Sequence, residues 1–413
     1  MRIAINTLGT RGDVQPYIAL AIALTRAGHA VQIAVPLQFA DMIQAHGLDC
    51  AALPGEFLTL LDTPEGKAAI AGGEGFTAGL KLLKHVRPLM RTLLDAEWNA
   101  TRPFRPDVIV YHPKSIASPH IAEKLGCKCI LASPLPGFTP TSAFPSPLLP
   151  FRSLGPFNRA SHLIATSGAS LLFGKLIKDW RAETLGLSRR RQSKIRPAAT
   201  IYAYSRHVLP VPPDWGDDVL VSGYWFLDST AWSLPQSLKA FLAAGDPPIY
   251  VGFGSMPGVD AEGMTNTIIE ALARCGKRGL LATGGGALRL TDAPSHIHQI
   301  DHAPHDVLLP HVAATIHHGG AGTTVASLRA GKPMTICPFF GDQPFWARRM
   351  QELGVAPSAL DRKNFSVERL VSAIEAMDTQ AMRDRATAFG AAIRNEDGCA
   401  SAVQFIEARC SPQ

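Results

Sequence analysis

Short apolar runs separated by longer mixed segments recur along this chain, and their order predicts its class. Ile3 to Asn6 reads as a strand, Gly9 to Gly12 as a tight turn, about Val14 to Ala27 as a helix and Ala30 to Val35 as the next strand. That order is a parallel βαβ unit. Further strands are predicted at Val108 to Tyr111 and Lys128 to Ala132, with a long helix from about Thr77 to Asn99. A second series begins at Pro248: strands at Ile249 to Phe253, Gly279 to Ala282, Ile297 to Ile300, Ala314 to His317 and Met334 to Pro338, with a helix near Gly263 to Arg274. Asp228 to Asp246 reads as the linker between the halves. The alternation predicts an α/β chain of doubly wound parallel sheets that bind ligands at the carboxyl ends of their strands.

From Ser133 to Pro156 the pattern breaks. Pro134, Pro136, Pro140, Pro145, Pro147, Pro150 and Pro156 interleave with Phe138, Phe144 and Phe151, with Phe157 just beyond. Proline at this density forbids a helix interior or a central strand. The segment is therefore expected to be an irregular loop, its phenylalanines either lining a pocket for an apolar ligand, touching lipid, or tucked into the core.

Length and composition narrow the class. At about 150 residues per domain, 413 residues make two or three domains. With 46% apolar and 18% charged residues the chain is globular and slightly greasy. The net charge of +6 gathers around Arg181 to Arg196, read either as a solvated surface or as a basic loop meeting anionic lipid head groups. No basic face interleaved with aromatics marks nucleic-acid recognition. Seven scattered cysteines without a C-x-x-C pair suggest reduced thiols. No signal-peptide core and no apolar run of 18 residues is present, so the expected location is cytoplasmic, at most peripheral to the inner face of a membrane. The many histidines, among them His296, His298, His302 and His305, lack metal-ligand spacing, and neither a metal nor a bound cofactor is expected.

Two segments carry chemistry. Between Thr315 and Trp346 the chain reads TIHHGGAGTTVASLRAGKPMTICPFFGDQPFW: the end of a buried strand, a glycine turn at Gly319 to Gly322, and a helix expected from Thr323 to Ala330 with its free amides facing outward. Such a turn holds phosphate. The glycine spacing matches neither G-x-G-x-x-G nor the P-loop. The other segment is Leu8 to Pro16, LGTRGDVQP, in the first βα turn, where Asp13 is read as the helix N-cap.

The runs HHGGAGTT at His317 to Thr324 and FFGDQPFW at Phe339 to Trp346, together with G-T-R-G-D-V-Q-P, closely resemble the GT-B glycosyltransferases, most of all their sterol and antibiotic branches. The resemblance implies two Rossmann-like domains with an interdomain cleft, an acceptor-binding one over 1–227 and a nucleotide-sugar-binding one over 228–396, with a helix in 397–413 crossing back to the first. It implies a metal-independent, inverting transfer of a hexose, glucose foremost, from a UDP- or dTDP-sugar to a hydroxyl of a lipophilic acceptor such as a sterol, triterpenoid, polyketide or flavonoid-like molecule. Asp13 is then the catalytic base. His318 and the backbone of Gly320, Ala321, Gly322 and Thr323 grip the diphosphate, with Ser255 of the GFGSM turn on its other side. Asp342 and Gln343 bond the sugar hydroxyls, and His302 and Ala303 meet the nucleobase. Ala326 stands where plant members place a ribose-binding Glu. Plant members often use a His in the first loop oriented by a distant Asp, and this loop has no His. On the acceptor side the expected residues are Gly12, His112, Lys114, Phe138 and Phe144. A nucleotide-sugar epimerase of the same fold and a non-catalytic partner protein are the competing readings. The first has no need of a base in the first loop; the second generally loses the donor cradle.

Overall fold

The computed structural model describes residues 1–56, 75–189, 196–229, 232–254, 256 and 260–410, with 75–85 and 169 described in backbone only. Ser255 and residues 190–195 of the basic run lie outside the described residues. The chain divides into two compact units, Met1–Leu148, Ser153–Leu227 and Glu396–Gln413 in the first, Leu149–Arg152 and Asp228–Asn395 in the second.

The first unit holds seven parallel strands, β1 (Arg2–Asn6), β2 (Ala30–Pro36), β3 (Asp49–Leu53), β4 (Val108–Tyr111), β5 (Lys128–Ser133), β6 (Ala199–Tyr202) and β7 (Val219–Val221), in the order β3-β2-β1-β4-β5-β6-β7. Its helices include α1 (Arg11–Arg26), α2 (Gly75–Phe104), α3 (Ser118–Leu125) and α4 (Leu163–Glu183). In β1 alternate side chains enter opposite layers. Ile3 and Ile5 pack with Val14 and Ile18 of α1, while Ala4 packs with Leu94, Ile109 and Trp180. Burial on both faces is why this strand reads as a continuous apolar run.

The second unit holds β8 (Ile249–Gly252), β9 (Gly279–Ala282), β10 (Ile297–Ile300), β11 (Ala314–His317) and β12 (Met334–Ile336), all parallel, in the order β10-β9-β8-β11-β12. Two of its helices matter below, α5 (Ala321–Arg329) and α6 (Gln343–Glu352). Strand order reverses between β1 and β4 in one sheet and between β8 and β11 in the other. A crevice opens at such a point because the helices on either side leave in opposite directions.

The terminal helix α7 (Gly398–Cys410) belongs to the first unit. Its Val403 and Ile406 join the layer of Ile3 and Ile18, and the Trp225 indole donates to the Gly398 carbonyl at 3.1 Å. Ile406→Ala would cost about 2–5 kcal/mol, the usual penalty for emptying a packed site. Asp228 to Asp246, expected as linker, is instead tied down: it contains a helix at Gln236–Ala243, Asp228 takes both Arg329 guanidinium nitrogens, and Ser229 donates to Asp306 at 2.6 Å. Arg181, expected on a basic surface, is 1% exposed and donates to Glu123 and His120. It lies on the inner face of α4, with Ile177 and Trp180.

Candidate active site

At the first reversal point the chain leaves β1 at Asn6 and enters α1 within a few residues. Gly9 has φ +133°, and a Cβ there would lie 2.2 Å from Asp13 Oδ2. Only glycine lets that carboxylate fold back over the turn. The N-cap of α1 is Thr10, and Asp13, read from sequence as the cap, is the third helical residue. Asp13 Oδ2 accepts from the Thr10 backbone N–H at 2.8 Å and hydroxyl at 3.2 Å. This reciprocal cap starts the helix ahead of the apolar residues that announce it, so Gly12 lies within α1.

The neighbouring strand β4 delivers the other partners. Lys114 Nζ donates to Asp13 Oδ2 at 2.8 Å, and His112 Nε2 stands 3.3 Å from Oδ1. His112 Nδ1 accepts from the Lys114 backbone N–H at 3.1 Å, so a neutral ring carries its proton on Nε2, facing Asp13. Burial pushes the His112 pKa down, with Asp13 opposing and Lys114 adding to the fall. For Asp13 burial acts upward, but His112 and Lys114 together hold its carboxyl well below the usual range. The result is an ionised carboxylate, 18% exposed, ringed by donors of which the half-exposed Lys114 is the movable one.

Beneath this pair lies a polar cluster that the sequence does not announce. The Asn6 carbonyl accepts from the His112 N–H at 2.9 Å and the Ser115 hydroxyl at 3.1 Å, setting the loop after β4. The Asn6 amide donates to Glu97 at 3.2 Å, Thr101 at 3.2 Å and Ser118 at 2.9 Å, and the Ser118 hydroxyl donates to the same Glu97 oxygen. Glu97 is 1% exposed. Burial raises its pKa to about 7, against the pull of Ser118 and Asn6.

At the second reversal point β11 runs into a glycine turn and α5. Gly319 has φ +88°, and a Cβ on it would meet Ile336 at 2.6 Å. Gly320 is the N-cap, so α5 begins at Ala321, two residues before the expected start. Without a side-chain cap, the amides of Ala321, Gly322 and Thr323 have no partner within the helix. Such amides and the helix dipole favour an anion. The His318 ring stands over this end, its Nε2 2.5 Å from where a Gly320 Cβ would be. Its Nδ1 is buried without a hydrogen-bond partner among the described residues. Burial and His305 push its pKa to about 4, the Gly252 backbone opposing. His317 is fully buried and its Nδ1 accepts from the Gly319 N–H at 3.0 Å.

The Glycosyltransferase family 28 N-terminal domain model matches residues 3–145, and the Erythromycin biosynthesis protein CIII-like C-terminal domain model matches residues 281–404. Two sterol 3-beta-glucosyltransferases of Arabidopsis thaliana are 34% and 33% identical over 98% and 100% of this chain, which spans 65% and 69% of their lengths. This chain belongs to the GT-B glycosyltransferases. A sterol 3-beta-glucosyltransferase of Aspergillus fumigatus is 35% identical over 98% of the chain and 30% of its own length. Among solved structures, the glycotransferase of kitacinnamycin is similar at TM-score 0.73 and 18% identity, covering 99% of both chains. VinC in complex with dTDP is similar at TM-score 0.71 and 17% identity, again over 99% of both.

In this GT-B chain the remaining expected residues fall as follows. Gln343 is 5% exposed, and its carbonyl closes its own loop by accepting from the Phe339 and Phe340 N–H groups at 2.7 and 3.2 Å. Asp342 caps α6 and accepts from the Trp346 indole at 2.8 Å. His302 is exposed beside Gly284, where a Cβ would lie 2.7 Å from its Nε2, and Ala303 packs near Tyr250 and Leu308. Phe138 packs against the layer of Ile109 and Trp180, and Phe144 sits 5.8 Å from the His162 ring and 6.5 Å from Trp215. Their loop is held by residues that sequence reading passed over. Asp214 accepts from Thr141 at 2.6 Å and Ser142 at 2.8 Å, and the fully buried His162 faces the Gly137 and Phe144 carbonyls at 3.1 Å each. No metal-binding group of three His, Cys, Asp or Glu occurs among the described residues.

Proposed function

We propose that this chain transfers a hexose, glucose foremost, from a UDP- or dTDP-sugar to the hydroxyl of a lipophilic acceptor of the sterol kind, with inversion and without a metal. The observation that carries this reading is Asp13, a carboxylate kept ionised at one reversal point, in a chain whose other reversal point presents His318 and the open amides of α5. The sterol glucosyltransferase activity of the Arabidopsis and fungal relatives, and the dTDP bound by VinC, support the substrate classes.

In the proposed step the acceptor oxygen bonds to the sugar's anomeric carbon as the bond from that carbon to the diphosphate breaks, and the hydroxyl proton passes to Asp13. Asp13 is a weak base while Lys114 donates to it. The acceptor hydroxyl takes the place of the Lys114 ammonium, which raises the basicity of the carboxylate as the proton arrives. General-base help of this kind contributes about 10²–10⁴ in rate. His318 and the amides of Ala321, Gly322 and Thr323 receive the charge that develops on the diphosphate, a contribution of about 10²–10³ per donor. Asp342 and the amide nitrogen of Gln343 orient the hexose, while His302 and Ala303 meet the base.

Incubation of the purified chain with UDP-glucose or dTDP-glucose, with and without a sterol, tests this directly. Sterol-dependent release of nucleoside diphosphate with a β-glucoside product is expected. Interconversion of the sugar without an acceptor, or donor binding with no turnover across an acceptor panel, would overturn it.

A further inference from the structure

The large apolar side chains left exposed are not scattered over the surface. Of the nine among the described residues, five lie within sixteen positions of the first unit: Phe157 at 71%, Leu163 at 59%, Ile164 at 50%, Leu171 at 82% and Leu172 at 48% exposure. Scattered exposed leucines need no explanation, whereas a contiguous set does. The last four stand on the first half of α4, and the same helix buries Ile177 and Trp180 on its other side. Ile164, Leu171, Lys175 and Lys178 are spaced by seven, four and three residues, so they form one stripe along the helix. The stripe is apolar at its start and basic at its end.

Charge singles out the partner. From Lys124 to Lys178 the chain has no Asp or Glu, and the two acids that follow on α4, Asp179 and Glu183, pair with Arg189 and Arg91. Lys175 and Lys178 are exposed and make no ion pair with any described residue. A face for a second copy of this chain would have to place these lysines against each other or against an acidic patch that the stretch itself lacks. An anionic bilayer suits both halves of the stripe, the leucines entering the acyl boundary and the ammonium groups meeting the head groups.

We propose that the exposed face of α4, from Leu163 to Lys178, is a docking surface for an anionic lipid bilayer. No helix among the described residues is long and apolar enough to cross a membrane, so the contact is interfacial. It differs from the basic run after Arg181 that composition alone suggested.

The test is co-sedimentation of the full chain with vesicles of phosphatidylcholine alone or mixed equally with phosphatidylserine. The assay contains neither donor nor acceptor, so its result is independent of the proposed reaction. Binding to the mixed vesicles is expected, with a much weaker interaction with phosphatidylcholine. Lys175→Glu with Lys178→Glu should weaken mixed-vesicle binding by at least about tenfold, each lysine near an anionic surface being worth roughly fivefold. Leu171→Ser with Leu172→Ser should weaken it at least as far. Both pairs lie on an exposed face, and unchanged circular dichroism would verify the fold of each. Failure to bind mixed vesicles, or binding that neither pair alters, overturns the proposal. So does a wild-type dimer in analytical ultracentrifugation that the leucine pair converts to monomer, since the face would then belong to a second copy.

Discussion

His112 turns its Nε2 toward Asp13 Oδ1 at 3.3 Å, although the two residues leave different strands and lie far apart in sequence. Plant members of the superfamily are expected to pair a His of the first loop with a distant Asp; here the first loop supplies the carboxylate and the distant loop the imidazole. Both His112 nitrogens are engaged, Nδ1 by the Lys114 N–H, so the ring orients Asp13 and has no free nitrogen with which to take a proton itself. Asp13→Asn should therefore retain nucleoside diphosphate affinity and lower kcat by about 10²-fold or more. A variant with most of its activity would return Asp13 to helix capping alone.

The electrostatic role of Lys114 should be visible in the pH profile. Its ammonium and His112 depress the Asp13 pKa, so the carboxylate remains ionised far into acid. Lys114→Met removes that positive charge and leaves the His112 hydrogen bond, and the acid limb of kcat/KM should move to higher pH. Above that limb the variant should transfer at least as fast per bound acceptor, since a less stabilised carboxylate is a better base. An acid limb unchanged from wild type would show that Lys114 does not govern Asp13.

Glu97 gives a stability prediction with a definite sign. Its pKa is raised from 4.5 to about 7, so between those values the folded state holds a proton that the unfolded state has released. The contribution of neutral Glu97 is complete below about pH 4.5 and declines as pH rises toward 7, by at most roughly 3 kcal/mol. Glu97→Gln imitates the protonated acid. It should match wild type in thermal unfolding at pH 5 and melt higher than wild type at pH 8. A variant less stable than wild type at both pH values would mean that the carboxylate is ionised in the fold.

Those three residues also mark where sequence reading stops. β9 and β11 are legible residue for residue, because central strands buried on both faces leave short apolar runs bounded by turns, and β10, at the sheet edge, because two isoleucines frame it. β7 is three residues long at the sheet edge, and α4 opens with SGAS between its apolar residues, so neither leaves a clear period. Asp13 is legible as a motif, but its partners His112 and Lys114 reach it only because β1 and β4 pair in register from Ile3 with Val108 to Asn6 with Tyr111. Glu97 looks like any solvated acid of an amphipathic helix. Its role is set by Asn6, 91 residues away, and no local pattern encodes that contact. At the other site the glycines are readable, whereas the engagement of the Gln343 carbonyl by its own loop is a matter of tertiary geometry.

His318 ties donor binding to protons. In the free protein its pKa is lowered from 6.5 to about 4, so the ring is neutral at pH 7. A diphosphate placed beside it raises that pKa, because the cationic form gains a charge-assisted partner while the neutral form gains little. Binding should therefore take up protons at His318, and affinity should increase as pH falls from 8 to 6. Calorimetry of UDP and dTDP binding in buffers of different ionisation enthalpy measures the uptake, and its difference between wild type and His318→Gln isolates the protein's share from the nucleotide's own titration. His318→Ala should weaken either nucleotide about 10- to 100-fold, the loss of a hydrogen bond to a charged group. Asp342→Ala should spare the free nucleotides and reduce sugar transfer. Unchanged affinity in His318→Ala, with proton uptake equal to wild type in His318→Gln, would remove His318 from the donor site. Loss of nucleotide binding in Asp342→Ala would make that residue a cap of α6 whose removal disturbs the whole unit, since its carboxylate also holds the Trp346 indole.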